Sequence, residues 1–160
     1  MKTSDRGIEL IKSFEGCKLQ TYHCSAGVAT IGYGHTGKDV RPGMVITQET
    51  AEKLLRQDLA RFEAGVAKSA QKTTQGQFDA LVSFAFNLGL GALSGSTLLK
   101  MHNDGKYSEA AKRFPQWDKA DGTHNGKDDD GDGLIDEAGE KQRLTGLTRR
   151  REAEAKLYAS

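Results

Sequence analysis

The segment from Gln75 to Leu88 constrains this chain more than any other. Phe78, Leu81, Val82, Phe84, Ala85 and Leu88 lie nearly all round a helix of that length. A helix with no polar face is stable only when other elements enclose it. The chain of 160 residues is long enough to build one such core without disulfide staples, and its two cysteines, Cys17 and Cys24, are too few for a stapled scaffold. The expectation is a single domain over 1–160 with this helix at its centre.

Further helices surround it. Ser4 and Asp5 are N-cap candidates for a helix carrying Ile8, Ile11 and Phe14, with Glu15 on its buried side and Gly16 as its stop. Thr47 opens a helix running through Leu54, Leu55, Leu59 and Phe62. Ser94–Thr97 opens another with Leu98, Leu99 and Met101. Tyr107–Trp117 reads as a short amphipathic helix with Pro115 near its end. Leu147–Tyr158 is the last, and its run Arg149, Arg150, Arg151 reads as a solvated surface.

One stretch follows a different period. Thr21–Tyr33 alternates, is rich in β-branched and aromatic residues, and is broken at Ser25-Ala26-Gly27, which reads as a hairpin. The fold class expected is α+β: a small N-terminal β-hairpin lobe, a larger α-helical lobe and a cleft between them, a common place for a ligand.

Charge narrows the partners. The net charge is +1, but the segment from Asp121 to Gln142 carries −6 and the remainder +7. A basic body suits a polyanion such as nucleic acid or a cell-wall polymer. No recognition helix or base-stacking motif accompanies it, so nucleic acid is not expected. The four histidines show no close repeat of a zinc site. No apolar run approaches the roughly 18 residues of a membrane span, and the polar N-terminus has no signal-peptide stretch.

The chemistry concentrates early. Glu15 stands at a helix end, Cys24 follows after eight residues, and Thr30 after five more, within Thr30-Ile-Gly-Tyr-Gly-His35. Gln77–Gly89, Ser96-Thr97-Leu98, Trp117-Asp-Lys-Ala and Gly146–Glu152 follow in order. These blocks resemble the phage-type lysozymes, glycoside hydrolase family 24, over nearly the whole chain except about 121–142. The resemblance implies an endolysin, a muramidase that hydrolyses the β-1,4 bond between N-acetylmuramic acid and N-acetylglucosamine in peptidoglycan. It implies a monomer made in the host cytoplasm that acts on the wall in the periplasm. Glu15 would be the general acid, kept protonated by apolar surroundings. Thr30 would hold a water, and Thr36 and Ser96 would touch the saccharide. No cofactor is expected for catalysis. Cys24 stands where the family usually carries Asp; it is read as thiolate nucleophile, water-positioning group or weak electrostatic stabiliser, the thiolate needing a cation to form at neutral pH. The alternative is a calcium-dependent cell-wall-binding protein on the same fold, with catalysis lost.

The acidic segment, about 121–142, departs from the family. Asp128, Asp130 and Asp132 alternate before Gly133, and Asp136 follows, an order that resembles EF-hand-like calcium loops. Leu134 would add its carbonyl oxygen. Gly139 stands where the bidentate Glu belongs, so a structural Ca2+ of modest affinity is expected.

Overall fold

A computed structural model describes residues 1–24, 26–121, 141–143 and 145–160. The expected calcium ligands Asp128, Asp130, Asp132, Leu134 and Asp136 lie outside the described residues.

The chain opens with α1, Asp5–Glu15, capped by the Ser4 side chain, which accepts from the Gly7 amide. Ser4 in turn donates to the buried Asp79 carboxylate through its backbone N–H and its hydroxyl. Thr3 hydrogen-bonds Glu63 in the same way. These carboxylates, brought from distant sequence, fix where α1 starts. Gly7 permits the close approach: a β-carbon there would stand 2.7 Å from Thr3 and 2.8 Å from Asp79.

Three antiparallel strands follow, β1 (Lys18–His23), β2 (Ala29–Gly32) and β3 (His35–Thr36), in that spatial order. The expected hairpin is present. It starts three residues earlier than the alternation indicates, and gains a third strand too short for periodicity to reveal. Ile31 and Tyr33 turn inward against the helices, whereas Leu19, Tyr22 and Val28 stay exposed.

The helical lobe begins with α2, Gln48–Ser69, capped by Thr47 as expected. Then comes α3, Gln75–Leu88, whose Thr74 and Gln77 form a reciprocal capping box. Every residue of α3 from Gln77 to Ala85 is buried, and α1, α2 and the C-terminal helix α7 (Thr145–Tyr158) all pack on it. The short α4 (Leu90–Ser94) was not legible as a separate helix; α5 (Thr97–Asn103) starts at Ser96. The amphipathic stretch from Tyr107 divides into α6 (Tyr107–Ala111) and a 3-10 turn over Phe114–Trp117, with Pro115 near the start of the turn. Two short strands, β4 (Lys119–Asp121) and β5 (Lys141–Arg143), pair just before α7.

The architecture is the α+β, two-lobe arrangement expected, with α3 at its centre. One expectation fails plainly. Arg150 and Arg151 are buried, at 3% and 0% exposure, and of the three arginines only Arg149 is exposed.

Candidate active site

Glu15 is the last residue of α1, and Gly16, at φ 66°, turns the chain away beyond it. The carboxylate is half-buried and accepts a hydrogen bond from Arg150 Nη1 at 2.5 Å. Sequence reasoning set Glu15 against an apolar wall; the group actually nearest its Oε1 is a guanidinium. Arg150 is itself held on three sides. Its Nε donates to Glu154 at 3.2 Å, its Nη2 donates to the Ser83 carbonyl, and Phe14 offers its ring 5.9 Å from the guanidinium carbon.

Glu15 opens onto a cavity of about 390 Å³ between the lobes. The β-lobe contributes Tyr33, Gly34 and Thr36, and α2 contributes Gln57, Asp58, Arg61 and Phe62. Thr36 is therefore at the cavity, as expected. Ser96 is not placed as expected: it is buried, caps α5 by accepting from the Leu99 amide, and donates to the Leu93 carbonyl. Its one hydroxyl proton is thus committed inside the protein.

Cys24 and Thr30 meet at the hairpin. The Cys24 amide donates to Val28 O and its carbonyl accepts from Gly27 N, which closes the turn; Gly27 takes φ 75° there. Main-chain N–H groups of Val28 and Ala26 aim at the sulfur and hold the thiol below its usual range. A cation was expected to be needed for this; backbone amides do it instead. Thr30 is buried, and its hydroxyl donates to Val28 O at 2.9 Å. Cys17 and Cys24 are both free thiols.

His35 is held by two carboxylates. Its Nδ1 meets Asp58 at 2.9 Å, joining β3 to α2, and its Nε2 meets Asp39 at 3.0 Å. Partial burial works against its charge, but the two carboxylates outweigh it and raise the imidazole above its ordinary value. Asn87, expected to brace the core helix, accepts from Arg151 at 2.7 Å. Trp117 packs edge-on against Phe84, as a core residue would.

The residues that sequence reasoning missed are Arg150, Arg61 and Asp58. Arg150 carried a usable signal. Glu154 follows it by four, and a buried-face pairing at that spacing competes with the surface reading.

The phage lysozyme family model matches residues 12–154. The chain belongs to the phage lysozyme family. It is 52% identical over 130 residues to an endolysin of Bacillus phage B103, covering 79% of this chain and 49% of that protein. The chain thus spans about half the length of that relative. It is 42% identical over 161 residues to an endolysin of Acyrthosiphon pisum secondary endosymbiont phage 1, covering 100% of this chain and 99% of the other. Among solved structures it is similar to the muramidase domain of SpmX from Asticaccaulis excentricus, with a TM-score of 0.83 and 39% identity, covering 99% of this chain and 98% of that one. This lysozyme-family chain therefore carries the fold its motifs imply, and no helix among its described residues is long and apolar enough to cross a membrane.

Proposed function

We propose that this protein is an endolysin muramidase that hydrolyses the β-1,4 bond between N-acetylmuramic acid and N-acetylglucosamine in peptidoglycan. The observation that carries the reading is Glu15 at the end of α1, gripped by Arg150 and open to the inter-lobe cavity. Arg150 occupies Oε1, which leaves Oε2 to carry the proton. That proton passes to the glycosidic oxygen as the bond to the anomeric carbon breaks, and positive charge spreads over the sugar ring. Cys24 supplies the anion that faces this charge, its thiol biased toward ionisation by the amides of Val28 and Ala26. Water ends the reaction by adding hydroxide to the anomeric carbon and returning a proton to Glu15. If the sulfur bonds to the anomeric carbon first, intact-mass measurement during turnover records a glycosyl adduct. If Cys24 acts without bonding, no adduct forms.

The family's endolysins motivate two further parts of the proposal: synthesis in the host cytoplasm with action on the wall in the periplasm, and a monomeric state. The spacing of Asp128, Asp130, Asp132 and Asp136 motivates a structural Ca2+, separate from catalysis. Equal melting temperatures in excess chelator and in millimolar calcium would remove that ion from the proposal.

The deciding experiment digests purified peptidoglycan and weighs the released muropeptides. Fragments ending in reducing N-acetylmuramic acid, each with one added water, are expected. Reducing N-acetylglucosamine or anhydro ends would overturn the bond assignment. Adherence to chloroform-treated Gram-negative cells without clearing would establish the wall-binding alternative.

A further inference from the structure

Glu154 and Arg151 lie one layer behind Arg150, and no step above uses them. Both are wholly buried. Glu154 Oε1 accepts from Arg150 Nε and, at 2.7 Å, from the Ser83 hydroxyl. Arg151 Nη1 lies 3.2 Å from Glu154 Oε2 without hydrogen-bonding geometry, and Arg151 Nε has no partner among the described residues. The remaining Arg151 contacts are the Asn87 amide oxygen and the Phe84 ring, 5.1 Å from its guanidinium carbon.

A buried pair this incompletely bonded is a weak source of stability, because desolvation takes back most of its Coulomb attraction. Its position shows what else it does. Two guanidiniums and two carboxylates, Arg150, Arg151, Glu154 and Glu15, form one chain of charge that reaches the cavity only through Glu15. On the other sides, α1 sets Asp5, Arg6 and Glu9 beside Lys156 of α7, and Tyr33, Asp58 and Arg61 share the cavity with Glu15; among the described residues none of them hydrogen-bonds Arg150, Arg151 or Glu154. From α3 come the neutral Ser83 and Asn87. Beyond the 3-10 turn, Asp118 accepts from Thr148, and from α5 His102 meets Tyr158 at the far end of α7.

We infer that Glu154 and Arg151 are positioning residues that set the net charge behind Arg150, and so the pH range over which Glu15 keeps its proton. Burial pushes the Glu154 carboxyl up and the Arg151 guanidinium down, while each charge favours the other. Removing the Glu154 charge leaves Arg150, which faces Glu15, and Arg151 behind it with less compensation. Removing the Arg151 charge leaves an additional anion behind Arg150. The two changes act on Glu15 with opposite sign, which a purely structural role does not do.

The inference rests on the proposed role of Glu15 as general acid, and the experiment separates the two. Clearing rates of the full chain on chloroform-treated cells are measured across pH for wild type, Glu154→Gln, Arg151→Gln, Ser83→Ala and Glu15→Gln, with circular dichroism to confirm the fold. The alkaline limb of the profile should move to lower pH in Glu154→Gln. It should move to higher pH in Arg151→Gln. Ser83→Ala, which removes a 2.7 Å donor to Glu154 and a longer, 3.5 Å acceptor from Arg150 Nη2, should move it slightly in the Glu154→Gln direction and keeps the test alive if the charge variants do not fold. Limbs that stay in place in folded variants, or that move the same way in both charge variants, overturn the inference. Persistent clearing by Glu15→Gln instead overturns the acid assignment itself.

Discussion

The two lobes hold their chemical groups by different means. In the helical lobe, Glu15 is fixed by side chains: Arg150 from α7, backed by Glu154, Ser83 and a core of Phe84, Phe114 and Trp117 in edge-to-face contact. In the β-lobe, Cys24 and Thr30 are fixed by main-chain bonds of one tight turn, while Leu19, Tyr22, Val28 and Val45 stand exposed. One side of the cleft is therefore built from long-range contacts inside a rigid core. The turn that holds Cys24 is instead built locally, from main-chain bonds among Cys24, Gly27 and Val28. Damage to the first should cost stability as well as rate; damage to the second should cost rate alone.

The strongest way to sharpen this contrast is at the carboxylate. Glu15→Gln keeps the shape and the Arg150 contact but has no proton to give, so clearing should fall by ~10²–10⁴. A variant that keeps more than about a tenth of the wild-type rate, against that range, removes Glu15 from the role.

Core truncation comes next. Phe84 is fully buried at the junction of α3, the 3-10 turn and Arg151. Phe84→Ala should destabilise by about 3–5 kcal/mol in a urea titration. Val45, 70% exposed at the β-lobe, should change stability by less than about 0.5 kcal/mol when cut to Ala. Similar losses at both sites would erase the distinction between the lobes.

Cys24 tests the β-lobe from the side of rate. Cys24→Ser should slow clearing more than Cys24→Asp, because Asp ionises readily and Ser does not. Both should melt close to wild type, since the turn is held by backbone. A Ser variant as fast as wild type would exclude an anionic role at this position.

The smallest effect is at the seam between the lobes. His35 titrates above its ordinary value of 6.5 once folded, despite partial burial, because Asp58 and Asp39 favour the imidazolium. Its contribution to stability is complete below the unfolded value and disappears as pH rises through the folded one. The melting temperature should drop across that interval, and Asp58→Asn should flatten the drop. A wild-type curve that rises through the same interval would assign the effect to other groups.

What was legible in the sequence was whatever short-range chemistry decides. Ser4 and Thr47 cap helices because their own side chains reach amides three residues on, and the all-round apolar pattern places α3 at the centre. The two-residue strand His35–Thr36 was hidden because only its pairing to Thr30 and Ile31 makes it a strand. Arg150 and Arg151 were hidden for a stronger reason. Three consecutive arginines read as a solvated face until two of them are matched to Glu154 on the same helix and Glu15 at the far end of the chain. Ser96 shows the opposite error: its position in the motif drew a ligand role, and its hydroxyl serves a helix cap.

The Glu15–Arg150 contact joins residues 135 apart in sequence. Contacts of that span close late, because the intervening chain gives up its freedom before they form. On the ribosome, α1 and the hairpin emerge long before α7. Until α7 docks on α3, the carboxylate has no arginine to hold it. An unfinished copy thus carries Glu15 without the guanidinium that fixes its Oε1.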